Sequence, residues 1–238
     1  MTTYFLHPKS IRNLFDNIAP TYDFLNHFLS LGRDFYWRKK AVQELDGFEG
    51  WILDIATGTG DVAIEMIHQN NHHRKVFGLD FSPPMIKKAQ RKILDKGLTQ
   101  TITISLGDAL SLPFRDNTFS ASMIAFGLRN IVKKEQALSE MVRVIQKSGK
   151  VIILEFTFPQ KGLMRRLYPI YFQKVLPWVG GFISGDRGAY AYLPESVFHF
   201  ASVESYEEIM KKVGLENVGS QSLTGGVASV ISGIKKCQ

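Results

Sequence analysis

The stretch Trp51-Ile-Leu-Asp-Ile-Ala-Thr-Gly-Thr-Gly-Asp61 decides the fold. Four apolar residues, 51–53 and 55, surround Asp54, which is typical of a buried strand. Gly58 and Gly60 then allow a tight turn, and the amphipathic segment 62–67 continues as a helix. A helix that begins at such a turn directs unpaired backbone N–H groups toward a ligand. The sequence therefore predicts a strand, a glycine turn and a helix that together bind a cofactor.

Two classes of cofactor use this arrangement, the dinucleotides and S-adenosylmethionine. The segment Gly58-Thr-Gly-Asp-Val-Ala63 satisfies the loose dinucleotide pattern G-x-G-x-x-G/A, and Asp80 follows about 20 residues on, where an acid that binds ribose is expected. However, Asp54 and Asp61 flank the turn, and two carboxylates would repel a pyrophosphate, whereas S-adenosylmethionine presents an ammonium and a sulfonium. The two acids favour S-adenosylmethionine. The alternative explanation is that Asp54 caps the turn and Asp61 caps the helix. A dinucleotide-dependent oxidoreductase stays the alternative function.

The composition is that of a globular protein with an excess of basic residues. The chain has 238 residues, is 45% hydrophobic and carries a formal net charge of +7, which allows one large domain with a sizeable core. The single cysteine, Cys237, can form no internal disulfide, which favours a cytoplasmic location. We expect neither a signal peptide nor a membrane-spanning helix. The lysines occur mainly as pairs, which favours solvated helix faces over a stripe that binds nucleic acid. An anionic membrane surface is the other candidate partner for the basic charge.

Beyond the first strand, predicted strands and helices alternate, as in a parallel sheet covered on both faces. The further strands are predicted at 75–80, 101–106, 119–126, 151–156, 217–223 and 227–234, with helices after the turn at 81–85, over 137–145 and over 205–213. The turn Thr224-Gly-Gly226 joins the last two strands as a hairpin. We therefore expect an α/β fold with a seven-stranded Rossmann-like sheet of the class I methyltransferase type and a terminal antiparallel hairpin. Residues 1–45 would form a helical lid, and residues 46–238 the methyltransferase domain, with an insertion at about 158–199.

Acidic residues stand at the ends of the first three predicted strands. In a parallel sheet these carboxyl ends meet at one edge, where ligands bind. Asp54 would face the methionine portion of the cofactor, Asp80 the ribose hydroxyls and Asp108 the adenine amino group, with the Ala109 N–H on a ring nitrogen. Three such acids, strand after strand, favour binding over three separate turn caps.

Several motifs resemble those of one family, the ubiquinone/menaquinone biosynthesis C-methyltransferases, and the resemblance covers nearly the whole chain. The motif Phe126-Gly-Leu-Arg-Asn130 and the N-terminal motif are much more specific than the glycine turn. The motifs are Phe15-Asp-Asn-Ile-Ala-Pro-Thr-Tyr-Asp23, Leu53-Asp-Ile-Ala-Thr-Gly-Thr-Gly-Asp61, Gly107-Asp-Ala-Leu-Ser-Leu-Pro-Phe114, Phe126-Gly-Leu-Arg-Asn130, Tyr192-Leu-Pro-Glu-Ser196 and the closing Gly-Gly-Val-Ala-Ser-Val-Ile-Ser-Gly.

The resemblance implies S-adenosylmethionine-dependent methylation of a ring carbon on a polyprenylated quinol, without a metal. Demethylmenaquinol would be the main acceptor, and 2-methoxy-6-polyprenyl-1,4-benzoquinol a second. The cofactor residues would be Thr57, Asp80, Asp108 and Ala109, beside the two glycines of the turn. The chain departs from the family pattern at Ala125, where some members have serine, and at Asp34-Phe-Tyr-Trp37, which replaces a more polar sequence.

The chemistry of a quinol suggests which residues act on it. A quinol carbon attacks a methyl group once the adjacent hydroxyl has at least partly lost its proton, and a cation at the phenolate oxygen stabilises that charge. Arg129, beside Asn130 at the end of the fourth strand, is the candidate because arginine stays charged and offers a rigid fork of donors. Pairing of Arg129 with a surface carboxylate is the alternative. The general base is left open between a water held by Tyr22 and Arg129 and the side chains of Tyr22, Asp23, His27 and His199.

Two irregular segments are expected to build the acceptor site. Residues 4–37 contain nine aromatic side chains, which fits a lid over an apolar pocket, although plain core would explain them too. Residues 163–178 mix bulky apolar residues with three cations and no acid, which fits a membrane interface that collects a prenyl tail, or a cap packed on the sheet. The expected partners are the quinol and a peripheral membrane contact at the inner face, with no nucleic acid and with a homodimer left open. An RNA methyltransferase is the third alternative and would need a contiguous basic face.

Overall fold

A single mixed sheet organises the part of the chain that the computed structural model describes, residues 8–69, 74–159, 165 and 202–237. Its strand order is β3-β2-β1-β4-β5-β7-β6. The first five strands pair in parallel, and β7 runs antiparallel to both β5 and β6. The seven-stranded sheet with a terminal antiparallel hairpin is therefore confirmed. The strands are β1 (Gly50–Ile55), β2 (Arg74–Asp80), β3 (Ile102–Leu106), β4 (Phe119–Ala125), β5 (Ile145–Phe156), β6 (Leu215–Leu223) and β7 (Ala228–Lys235).

Three helices precede the sheet, and the others connect its strands. The helix that follows β2 begins where the sequence supplies a cap: the Ser82 hydroxyl accepts the Met85 N–H, and prolines occupy the first turn of the helix. The helices are α1 (Pro8–Ile18), α2 (Tyr22–Leu29), α3 (Arg33–Gln43), α4 (Asp61–Gln69), α5 (Pro83–Asp95), α6 (Lys134–Val144) and α7 (Val203–Lys212).

Two apolar cores cover the two faces of the sheet. Ile52 of β1 packs in the core that contains α3 and α4, whereas Leu53 and Ile55 pack in the core that contains α6 and α7. All three side chains are fully buried. A strand buried on both faces reads as a continuous apolar run, which is why the first strand was evident from the sequence. Because side chains alternate along a strand, Asp54 projects to the same face as Ile52, toward the N-terminal helices.

The fifth strand differs from its prediction. It begins at Ile145 rather than at residue 151, and residues 148–150 form an irregularity inside it. Ser148 has a left-handed φ of 61°, and the pairing with β4 jumps from Phe119↔Ile145 to Ala121↔Lys150. Turn-forming residues in a strand mark a bulge as readily as a loop, and only the pairing partner decides between them.

Other predictions shift by a few residues or lie outside the described residues. Helix α6 begins three residues before its predicted start at 137. The insertion at about 158–199, the segment 163–178 and the motif 192–196 lie outside the described residues, apart from positions 158, 159 and 165. The boundary between a lid at 1–45 and a domain at 46–238 stays a prediction.

Candidate active site

The crevice for a ligand lies where the strand order reverses, between β1 and β4. The turns that follow these two strands lie against each other, since a Cβ atom added at Gly127 would come within 2.6 Å of the Ala56 Cβ. Each turn leaves its strand through a non-glycine residue in the left-handed region, Ala56 (φ 53°) and Phe126 (φ 55°). Such strained positions concentrate at functional sites.

The two glycines of the first turn have different surroundings. A Cβ atom at Gly60 would lie 3.3 Å from the Ala89 Cβ, so Gly60 allows α5 to pack against the turn. At Gly58 nothing lies within 4 Å of such a Cβ atom, and this is where a ligand can approach the backbone. The φ value is 56° at Gly58 and 84° at Gly60, and glycine adopts such positive values without strain.

Asp54 lies behind the turn. Its carboxylate accepts the Thr57 hydroxyl at 2.5 Å, and only 1% of its surface is exposed. Burial raises the pKa of Asp54 to about 7, against the opposing effect of the Thr57 hydrogen bond. The Thr57 side chain is therefore directed to the protein interior, while its backbone N–H donates to the Leu79 carbonyl at 3.1 Å.

Asp80 is the last residue of β2, and Asp108 follows β3, as predicted. Asp80 is buried, and its two oxygens accept the N–H groups of Gly58 (2.8 Å) and Ser82 (2.9 Å). Burial raises the pKa of Asp80, while these backbone donors oppose the rise. Asp108 is exposed and accepts the Leu110 N–H at 2.9 Å, with Ala109 half-buried beside it.

These residues fit S-adenosylmethionine. A carboxylate offers about four acceptor positions, so Asp80 can hold the turn and still accept ribose hydroxyls. The open space at Gly58 adjoins Asp80 directly, because the Gly58 N–H is bonded to that carboxylate. Among the described residues, no group of three or more His, Cys, Asp or Glu side chains is placed to hold a metal ion.

The charge argument against a dinucleotide is wrong in this geometry. Asp61 is paired with Lys92 and lies 3.4 Å from the Arg38 guanidinium, so its charge is compensated. Asp54 has a pKa of about 7 and carries little net charge below neutral pH. Two carboxylates beside the turn therefore do not amount to two negative charges, and the decision between cofactors depends on other observations.

The N-terminal helices are bonded to the cofactor turn. Asp23 of α2 accepts the Thr59 hydroxyl at 2.6 Å and pairs with Lys88 (2.9 Å) and Lys92 (3.1 Å) of α5. Burial alone would raise the pKa of Asp23, but the Thr59 hydroxyl and the two lysines outweigh it and lower the pKa below its ordinary value. Asp23 is consequently a poor general base. Sequence reasoning did not find its bond to the turn, since the two residues are 36 positions apart.

Tyr22 lies half-buried at the start of α2. Its phenol is hydrogen-bonded to the side chain of Asn26, and the charges of Arg129 and Asp80 lie close enough to affect it. Burial is the largest of these influences and raises the pKa of Tyr22, so the phenol stays protonated at neutral pH. Helix α2 thus brings Tyr22 to the region where the charges of Asp80 and Arg129 act on it.

Arg129 is held by a carboxylate that the sequence analysis did not single out. The Arg129 Nη1 lies 2.6 Å from Glu155 Oε1, and the Arg129 backbone N–H donates to Oε2 at 3.1 Å. Glu155 is fully buried, and the guanidinium lies 5.3 Å from the ring centre of Phe156. An acid in the apolar run 151–156 is the sequence signal for such a partner, because an acid is rarely buried unless it is paired. Asn130 closes the short 3-10 turn Leu128–Asn130 beside it.

The chain is similar to known proteins over nearly its whole length. Residues 4–235 match the sequence model of the ubiE/COQ5 methyltransferase family. The chain is 42% identical to the ubiquinone/menaquinone biosynthesis C-methyltransferase UbiE of Geobacter sulfurreducens, over 99% of this chain and 93% of that protein. It is 45% identical to a demethylmenaquinone methyltransferase of Thermus thermophilus, over 91% and 97%. A solved SAM-dependent methyltransferase from Thermotoga maritima shares the fold with a TM-score of 0.67 at 20% identity, covering 94% of this chain and 99% of that one.

Proposed function

The chain belongs to the ubiE/COQ5 methyltransferase family, and from this we infer that it is an S-adenosylmethionine-dependent C-methyltransferase of quinone biosynthesis. Its acceptor is the ring of a polyprenylated quinol, with conversion of demethylmenaquinol to menaquinol as the main reaction. Methylation of 2-methoxy-6-polyprenyl-1,4-benzoquinol is the second reaction, because relatives such as that of Geobacter sulfurreducens are named for both quinones. Family membership decides against the dinucleotide-dependent oxidoreductase and the RNA methyltransferase.

One observation carries the assignment of the site. The charges of Arg129, from the turn after β4, and of Asp80, at the end of β2, both act on the buried phenol of Tyr22 from the N-terminal helices. Residues from three distant parts of the chain thus surround one place, next to the glycine turn. Groups that would bind a cofactor and groups that would bind an acidic hydroxyl are side by side there, as a transfer between two bound molecules requires.

The cofactor residues along the edge of the sheet each bind a different part of S-adenosylmethionine. When bound, S-adenosylmethionine supplies an electrophilic methyl group on a sulfonium. Asp80 accepts the ribose hydroxyls, Asp108 accepts the adenine amino group, and the Ala109 N–H donates to a ring nitrogen. Gly58 lets the backbone approach the ligand, Gly60 lets α5 pack against the turn, and Thr57 holds Asp54 behind them.

The acceptor residues act on the quinol oxygen. Arg129 donates to the oxygen that becomes negative as its proton leaves, and Glu155 fixes the direction of the guanidinium from the opposite side. Asn130 adds a neutral polar group at the same turn. Tyr22, protonated at neutral pH, donates to the quinol or to a water that takes the proton. Alignment of the two reactants supplies roughly 7–11 kcal/mol of the barrier.

The substrate also implies a location. A polyprenyl tail partitions into a bilayer, so the protein works at the inner face of the cytoplasmic membrane, in peripheral contact with it. No helix among the described residues is long and apolar enough to cross a membrane. A homodimer stays a prediction that sedimentation equilibrium can test.

A radiolabelled methyl-transfer assay tests the function. Purified protein receives labelled S-adenosylmethionine with chemically reduced demethylmenaquinol, reduced demethylated benzoquinol or total RNA in parallel. We expect label in the naphthoquinol product, in smaller amount in the benzoquinol product, and only after reduction. Label in RNA, or in no acceptor at all, would overturn the proposal.

Two variants test the division of roles. Asp80→Ala should weaken the binding of S-adenosylmethionine about 10–100-fold, because hydrogen bonds to a charged group are lost. Arg129→Lys, which keeps a cation beside Glu155, should bind the cofactor normally and lower kcat by about 100-fold or more, because the fork of donors is lost. Equal losses of cofactor affinity in both variants would contradict the separate roles.

A further inference from the structure

The N-terminal helices expose a contiguous apolar surface on their outer side. We name it the lid face and define it by Phe24, Phe28, Leu31, Phe35 and Tyr36, whose exposed fractions are 57%, 48%, 81%, 58% and 42%. Phe24 and Phe28 stack with ring centres 5.9 Å apart, and the Leu31 N–H donates to the Phe28 carbonyl at 3.1 Å in the turn after α2. Exposed apolar surfaces of this kind mark sites of interaction rather than ordinary protein surface.

The lid face continues from α2 to α3. His27 of α2 stacks on Phe35 of α3 with ring centres 4.3 Å apart, which joins the two helices on this side. His27 also lies three residues after Phe24, on the same side of α2. The aromatic groups of the two helices therefore form one surface.

The exposed charges around the lid face are all positive. Arg33 and Lys39 are exposed, and Lys40 is half-buried. Lys39 lies one turn after Phe35, so it shares that side of α3. The two acids of these helices are engaged elsewhere: Asp23 pairs with lysines of α5, and Asp34 is buried with Arg38 at 2.7 Å. An apolar surface with a cationic border and no exposed acid matches an anionic lipid surface.

The opposite side of α2 points to the proposed active site. Tyr22 and Asn26 interact with each other near Arg129, and Asp23 is bonded to Thr59 of the cofactor turn. Because an α-helix with its side chains is about 10–12 Å thick, the lid face lies roughly that far from the site. A quinol whose tail stays in a bilayer under the lid face can therefore present its ring to the site.

We propose that the lid face lies on the surface of a bilayer that contains anionic lipids. The apolar side chains enter the boundary between headgroups and acyl chains, and Arg33 and Lys39 bind lipid phosphates. The proposal rests in part on the proposed function, which supplies a membrane-resident substrate. A second copy of the chain is a poorer partner, because a two-fold contact would bring the positive borders of two lid faces together.

Co-sedimentation with vesicles tests the lid face directly. The vesicles contain phosphatidylcholine alone or an equal mixture with phosphatidylglycerol, and no quinol. The double variant Phe24→Gln/Leu31→Asn should lower binding to the mixed vesicles at least about tenfold, because two apolar contacts are lost. Glutamine suits the helix at position 24, and asparagine tolerates the left-handed φ of 52° at position 31. Leu94→Gln, which removes an equally exposed apolar side chain from α5, is the matched control and should bind as the unaltered protein does.

The charge contribution has its own variants. Arg33→Gln and Lys39→Gln should each weaken binding to mixed vesicles about fivefold and leave binding to neutral vesicles unchanged. Lys87→Gln, on the exposed side of α5, is the control and should have no such effect.

Three outcomes would overturn the proposal. The first is failure of the unaltered protein to bind mixed vesicles, and the second is unchanged binding by the Phe24→Gln/Leu31→Asn variant. The third is a dimer in sedimentation that this variant abolishes, because that result would assign the lid face to a second copy. Methyl transfer to a short-tailed, water-soluble quinol separates this test from that of the function. An unaltered protein that binds mixed vesicles yet lacks this activity would contradict the proposed function alone.

Discussion

Asp54 shows how a single side chain acquires unusual chemistry from its surroundings. Its carboxyl lies beneath the glycine turn, held by the Thr57 hydroxyl, with almost no contact with water. Because burial disfavours the charged form, its pKa rises from 3.8 to about 7. A cationic cofactor bound above the turn would favour the charged form, so we expect the proton to leave Asp54 when S-adenosylmethionine binds.

This raised pKa predicts a pH-dependent stability. In the folded protein Asp54 keeps its proton up to about pH 7, whereas in the unfolded chain it loses it near pH 4. The protonated carboxyl therefore supports the fold at low pH, and that contribution is lost as the pH rises from about 4 to about 7. Asp54→Asn, which cannot ionise, should become more stable relative to the unaltered protein over this range, by an amount on the order of 4 kcal/mol, and the difference should stay constant above it.

Urea denaturation of both proteins between pH 4 and pH 8 measures this effect. A stability difference that does not change with pH would show that Asp54 ionises normally. Asp116→Asn is a suitable control, because Asp116 is largely exposed in a surface pair with Arg143.

Glu155 gives Arg129 its direction. The guanidinium and the backbone N–H of Arg129 both bind this one carboxylate, so the side chain and its turn are oriented together. Since both charges are buried, removing either partner alone would leave the other uncompensated. Glu155 is thus a positioning residue, and the conservative variant Arg129→Lys is the informative one at this site.

Among the elements of the fold, the lid helices and the cofactor turn form one bonded unit. The unit contains a chain of ion pairs across α2, α3, α4 and α5, with members Asp23, Asp34, Arg38, Asp61, Lys88 and Lys92. Asp23 also binds Thr59 of the turn directly. We therefore expect a displacement of α2 to change the conformation of the turn that would hold the cofactor.

This coupling predicts an effect of Asp23 on cofactor affinity. Asp23→Asn keeps an acceptor for the Thr59 hydroxyl but loses the charge that two lysines share. We expect the Kd for S-adenosylmethionine to rise about tenfold, as hydrogen bonds to a charged group contribute about 1.5–3 kcal/mol and are partly retained. Isothermal titration calorimetry measures the change, and Asp116→Asn again serves as the control. Unchanged affinity in Asp23→Asn would mean that the lid and the turn are independent.

Considered as a whole molecule, the protein should be stabilised by its cofactor. The proposed ligand contacts turns after β1, β2 and β3, none of which keeps this arrangement in the unfolded chain. At 100 times its Kd, a ligand that binds only the folded state adds about 2.7 kcal/mol. For a domain of this size we expect Tm to rise by about 5–10 °C with S-adenosylmethionine.

Differential scanning fluorimetry with S-adenosylmethionine, S-adenosylhomocysteine and NAD in parallel checks this prediction. The first two should raise Tm and NAD should not. A rise with NAD alone would revive the dinucleotide alternative, which the charges of Asp54 and Asp61 do not exclude in this structure.

The sequence by itself determined the sheet, its terminal hairpin and the row of acids along its edge. Apolar periodicity and turn residues act over a few positions, and parallel strands necessarily bring their carboxyl ends together. For that reason Asp80 and Asp108 stand where they were expected. Only the tertiary structure decided which polar side chains meet: Arg129 with Glu155, Asp23 with Thr59, and Asp61 with Lys92. These partners lie 26 to 36 positions apart, and packing rather than local pattern selects them. The pKa of Asp54 depends on the same packing, because burial and not residue type sets the cost of its charge.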